Sequence, residues 1–159
     1  MEFKLIAAAT GILLVIVYAL GSGAWVSSSP EWYLSLKRPP WQPPNAIFGI
    51  IWPYNFVVLG IASYQVSQSL TRLENVLWLV FLGLSITSAL TWAYQFYVPH
   101  NLMVAAIALG LAAFLTLPVL YLTLRASLLM GLLLTPYQIW VTIAATLAWG
   151  YMTRNQLTS

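Results

Sequence analysis

The chain has 159 residues, 61% of them hydrophobic, with a formal net charge of +3 and no cysteine. Charged residues make up 6% of it, against about 25% in an ordinary soluble domain, so a water-soluble globular protein is excluded. Without cysteine there are no disulfides, thiolate ligands or iron–sulfur clusters, and so small and scattered a charge leaves no nucleic-acid footprint.

The nine charges are Glu2, Lys4, Glu31, Lys37, Arg38, Arg72, Glu74, Arg125 and Arg154, and they leave uncharged runs at 5–30, 39–71, 75–124 and 126–153. A spanning helix needs roughly 20 apolar residues, because ~30 Å of hydrocarbon is crossed at ~1.5 Å per residue. The run 75–124 is too long for one span and breaks at Pro99-His100-Asn101, so the sequence predicts five. They cover about 5–26, 46–69, 76–98, 102–123 and 127–152 of a single domain, 1–159. The expected fold is an all-α integral membrane protein, a five-helix transmembrane bundle in the lipid bilayer.

The first run exceeds the apolar core of a signal peptide and has no clear small-residue cleavage site, so it counts as a helix. Its Ala7, Gly11, Gly21 and Gly23 let another backbone approach closely. The connector 27–45 follows, with Trp32, Tyr33 and Trp41 and four prolines within the thirteen residues 32–44, and the cations Lys37 and Arg38. Stacking rings, a stiffened backbone and fixed positive charge predict a lid over a flat, apolar, anionic ligand. Trp32, Tyr33, Trp41, Pro43 and Pro44 are its candidate contacts.

The second span carries Pro53, and the face Trp52, Phe56, Leu59 and Ser63 is either a ligand wall or a packing surface. Pro53, Pro118 and Pro136 each remove a helical donor, which fits kinked helices around a cavity. In the fifth span Tyr137, Trp140, Ala144, Ala148 and Tyr151 are spaced by 3, 4, 4 and 3, a helical stripe with rings at both ends and alanines between. That stripe is likewise a recess for a ligand or a packing seam; Trp149 faces elsewhere. Trp25, Trp78, Tyr97 and Tyr121, near span ends, are expected to be interfacial anchors.

No acidic residue lies inside a span and aspartate is absent, which argues against a proton-coupled pump or cation channel. The lone His100 reads as a polar turn residue, no metal site is expected, and no nucleophile–base pair can be assembled. No cofactor is required. No internal repeat is visible, which weakens inverted-repeat transporter readings. Three cations on each side of the spans leave the orientation open. Leu147, Tyr151 and Arg154 fit the loose sterol-contact pattern, as do Leu117, Tyr121 and Arg125.

The loop Trp32-Tyr33-x-x-Leu36-x-x-Pro39-x-Trp41-x-Pro43-Pro44 resembles that of the translocator protein / tryptophan-rich sensory protein family, with Arg38 in a lysine position. The similarity continues through Phe48-Gly49-x-x-Trp52, Gly60 and Tyr64, and returns at Pro136-Tyr137-x-x-Trp140-x-x-x-Ala144-x-x-Leu147 and Asn155. The resemblance implies five helices, commonly a homodimer, and a pocket under the first loop for porphyrins such as protoporphyrin IX and haem. It implies Trp52 and Trp140 as pocket walls, Tyr33, Trp41, Pro43 and Pro44 as lid, and Ala144 beside the ligand. Ser85 stands where the third helix of the family offers an asparagine, Ala148 stands where another is common, and an acidic residue of the fourth helix is absent. The expected function is a membrane receptor or carrier for porphyrin-like tetrapyrroles. The alternatives are light- and oxygen-dependent porphyrin degradation through Trp52 and Trp140, and a sterol-binding or structural membrane partner. The short N-terminus without a targeting segment points to a bacterial inner membrane.

Overall fold

The computed structural model describes residues 2–155. Six helices are present: α1 (Glu2–Val26), α2 (Pro30–Ser35), α3 (Asn45–Ser69), α4 (Arg72–Tyr97), α5 (Leu102–Ala126) and α6 (Leu128–Asn155). Five of them are long and apolar enough to cross a membrane, and they match the five predicted spans within a few residues. The sixth, α2, is a single short helix inside the connector that the sequence reading treats as loop throughout. Pro30 opens it, where a missing N–H costs nothing.

The long helices close into a ring in the order α1, α3, α6, α5, α4. The chain alternates direction, so a ring of five leaves one parallel pair, α1 beside α4. Although only two residues join α3 to α4, α1 packs between them. Local chemistry sets the joints. Thr71 caps α4 by accepting the Glu74 N–H at 3.3 Å, while the Glu74 carboxylate accepts the Thr71 N–H at 3.0 Å. The same carboxylate meets Arg125 at 2.6 Å. His100 takes a left-handed turn (φ 59°), and Asn101 then caps α5 by accepting the Val104 N–H at 3.1 Å.

Lipid tails are as apolar as leucine, so helices associate through close packing and hydrogen bonds. Gly11 shows the first: a Cβ there would lie 2.7 Å from the Cβ of Ser63 on α3. Alanines 105, 106, 108, 112 and 113 do the same along α5. The helices run unbroken through Pro53, Pro118 and Pro136. Side chains tie neighbouring helices near these prolines: the Tyr54 hydroxyl donates to the Leu133 carbonyl at 2.7 Å, and the Gln138 amide to the Ala113 carbonyl at 3.0 Å.

Three expectations are corrected here. Trp78 is buried at 1% exposure and its indole N–H donates to Thr123 Oγ1 at 2.9 Å, so it is a core tie between α4 and α5, not an interfacial anchor. Tyr97 is also buried and turns inward. Gly23 has nothing within 4 Å of a would-be Cβ and mediates no close approach. Trp25 is half-buried against Tyr94, and Tyr121 is exposed on the outer face.

Candidate ligand-binding cavity

The connector is held over the lid end of the ring by backbone and side-chain ties. Ser29 precedes α2 and uses its hydroxyl to reach the Tyr97 carbonyl at 2.9 Å, binding the lid to α4. Trp32 stacks flat on His100 (3.8 Å between ring centres, 9°) and meets Phe96 edge-on. At the other end the Lys37 N–H donates to Asn155 Oδ1 at 2.9 Å, and the Asn155 amide returns a bond to the Lys37 carbonyl at 3.2 Å. Just after the Lys37 tie, Pro39–Gln42 forms a β-turn closed by Gln42 N–H to Pro39 O at 3.1 Å, with Pro40 in the position proline favours. Pro39 and Trp41 of that turn rest on Gly150 of α6.

Beneath the lid is a cavity of about 380 Å³, inside the roughly 300–1,000 Å³ range of small-molecule sites. The second helix contributes Tyr33 and Leu34, the turn Gln42, and α3 Asn45, Phe48 and Trp52. Helix α4 adds Trp92, Phe96 and Tyr97; α6 adds Trp140, Ala144, Leu147, Ala148 and Tyr151; Val26 and Pro30 complete the lining. Val26, Pro30, Leu34 and Asn45 are exposed and lie at its mouth. No charged residue is in the lining.

The aromatic wall is ordered by ring-on-ring contacts. Trp140 meets Trp52 edge-to-face at 6.4 Å and Phe48 at 5.0 Å. Trp52 is backed by Phe56, stacked at 5.6 Å, and by the edge of Tyr18 at 6.0 Å. Three of the wall's polar side chains meet at one place: the Tyr151 hydroxyl donates to Gln42 Oε1, and the Gln42 amide donates to the Tyr33 hydroxyl at 3.2 Å, whereas the buried indole N–H groups of Trp92 and Trp140 have no partner. This triad joins lid and α6 across the cavity's edge. Among the described residues no three His, Cys, Asp or Glu side chains converge.

Of the eleven residues proposed as ligand contacts from the sequence, Tyr33, Trp52, Trp140 and Ala144 line the cavity. Phe56 stands behind Trp52. Trp41 is half-exposed on the outer side of the lid, Pro43 and Pro44 lead into α3 without facing the cavity, and Trp32 is occupied by His100. Tyr137 is buried one turn deeper than Trp140. Ser85 is too deep, about 10 Å below Trp92 at 1.5 Å per residue, and its hydroxyl bonds the Leu82 carbonyl. The sterol-contact triplet splits: Leu147 and Tyr151 turn into the cavity, whereas Arg154 sits over the Trp41 ring at 5.9 Å. Lys37 and Arg38 are exposed and outside the lining. The sequence reading missed Gln42, Phe48, Trp92, Phe96 and Tyr97 as cavity residues. Trp92 and Phe96, four apart at the lid end of α4, were the available signal.

Fold and site together define a multi-pass integral membrane protein with an aromatic cavity roofed by its first connector. The TspO/MBR family model matches residues 9–154, and the chain belongs to that family. It is 33% identical over 142 residues to Protein CrtK of Rhodobacter capsulatus, covering 86% of each chain. It is 27% identical to the Tryptophan-rich protein TspO of Bacillus cereus over 85% of this chain and 92% of the other. To the Translocator protein of Ovis aries it is 30% identical over 79% and 76%.

Proposed function

We propose that the protein is a membrane receptor or carrier for porphyrin-like tetrapyrroles such as protoporphyrin IX and haem, with a sensory, regulatory or transport role. The observation that carries the reading is the cavity wall: indoles of Trp52, Trp92 and Trp140 in an uncharged, apolar enclosure under a tied-down lid. Flat ring faces stack on such walls at about 0.5–1.5 kcal/mol per aromatic pair beyond area burial. The lid's prolines reduce the ordering cost of closing over a ligand. Acidic groups of a ligand would stay at the surface, where Lys37, Arg38 and Arg154 are exposed, Arg154 over the Trp41 ring. The names TspO and CrtK among the relatives fit a regulatory role. We place the protein in a bacterial inner membrane, as a homodimer.

The test is a protoporphyrin IX titration of the detergent-purified protein, followed by quenching of tryptophan fluorescence. Saturable quenching at micromolar or lower concentration is expected. Linear, non-saturating quenching would reject a tetrapyrrole site.

A further inference from the structure

Asn55 on α3 is 0% exposed, and neither its side-chain oxygen nor its nitrogen has a hydrogen-bond partner. The other buried polar side chains of the bundle mostly solve this problem locally. Ser63 bonds the Leu59 carbonyl, Ser85 that of Leu82, Thr116 that of Ala113, and the Asn75 amide those of Leu70 and Thr71. Asn55 is the one described side chain with two buried orphaned atoms. It lies ten residues into α3, roughly 15 Å from the lid end, at a depth where the bilayer supplies no water.

Its surroundings tie it to the cavity. Trp52, one turn nearer the lid on the same helix face, is in the cavity wall. The Tyr18 ring meets Trp52 at 6.0 Å and Phe56 at 5.2 Å, the two residues that bracket Asn55. The Tyr18 hydroxyl is buried as well, with the Tyr137 hydroxyl beside it as its neighbour. Asn55 therefore lies one helical turn below a residue of the indole wall, with both polar atoms of its amide unpaired.

An amide left unpaired in this place is a cost that a leucine of similar size would not carry. Proteins keep such violations of local rules where function requires them. We propose that Asn55 is a ligand-binding residue, a deep hydrogen-bonding subsite reached when a ligand turns the Trp52 ring aside. An asparagine both donates and accepts, so its ligand group must do the same. The pyrrole N–H and imine nitrogens of a metal-free tetrapyrrole offer both from the ring face once the macrocycle is bent out of plane, since in the planar ring they point to its centre. The subsite rests on the tetrapyrrole reading of the cavity and assigns recognition of the ring's nitrogens to α3.

The experiment titrates protoporphyrin IX into the full chain and its Asn55→Leu variant, with thermal melting of both. The expected result is at least tenfold weaker binding by a variant that melts no lower than the parent. Saturable parent binding with an unchanged variant affinity would overturn the subsite alone. No saturable binding by the parent would overturn the tetrapyrrole reading and the subsite with it. If the variant fails to fold, parent protein labelled with ¹⁵N-asparagine decides. Its Asn55 side-chain NH₂ pair, assigned by substituting the other four asparagines, must shift on saturation; an unmoved pair refutes the subsite.

Discussion

Trp41 rests its indole on Gly150: a Cβ added at 150 would lie 2.8 Å from Trp41 Cζ2 and 2.8 Å from Pro39 Cγ. The lid turn therefore sits against bare backbone of α6. A side chain at this position displaces the turn while leaving the ring of helices alone, because Gly150 faces the lid and not another long helix. Gly150→Leu is expected to weaken protoporphyrin IX binding about tenfold, mainly by faster dissociation. Stopped-flow displacement and a melting curve of the variant check it; unchanged dissociation would mean the turn is no part of the lid.

Trp52 and Trp140 meet edge-to-face at 6.4 Å in the cavity wall. Replacing both by Phe keeps much of the buried area and removes the larger indole faces. The double variant should bind protoporphyrin IX at least tenfold more weakly, about 1.4 kcal/mol, in the fluorescence titration while staying folded. Alanine would be a poor probe at Trp140, since emptying so buried a site costs about 3–5 kcal/mol.

The Tyr151 hydroxyl donates to Gln42, and Gln42 to Tyr33, linking lid to bundle. Tyr151→Phe leaves the Gln42 carbonyl oxygen without that donor. At about 0.5–1.5 kcal/mol for the bond, ligand release should quicken severalfold with the helices intact. Release kinetics unchanged from the parent would show that the triad does not hold the lid.

Trp78 lies outside the cavity, and its N–H bonds Thr123. Trp78→Phe should lower stability by about 1–3 kcal/mol, from the lost bond and the space left behind, with tetrapyrrole affinity unchanged. Melting and titration of the same sample separate the two effects. An unaltered melting point would show that the Trp78–Thr123 tie adds nothing to stability.

Charge spacing, with the Pro99-His100-Asn101 break inside the run 75–124, placed the five long helices, because an apolar run of some 20 residues crosses hydrocarbon as a helix and the charges mark its edges. The stripe on α6 was equally legible: Tyr137, Trp140, Ala144, Ala148 and Tyr151 are all buried, since side chains three and four apart share one helix face. The lid was legible as a Trp- and Pro-rich connector, and its α2 was not, because six residues give too little periodicity to separate helix from turn.

Periodicity says which residues share a face and nothing about what that face meets. Trp78 and Tyr97 look like anchors by position along their helix, yet the ring order turns both inward. Trp41 and Trp32 look like ligand contacts by composition, yet one lies on Gly150 and the other on His100. The sequence by itself determined the number and length of the spans, the aromatic character of the cavity and the absence of charge within the membrane. Only the tertiary structure decided that α1 separates α3 from α4, that α4 supplies Trp92 and Phe96 to the wall, and that Asn55 is stranded below it. Helix neighbours are chosen by packing across the bundle, and a two-residue connector constrains direction but not partner.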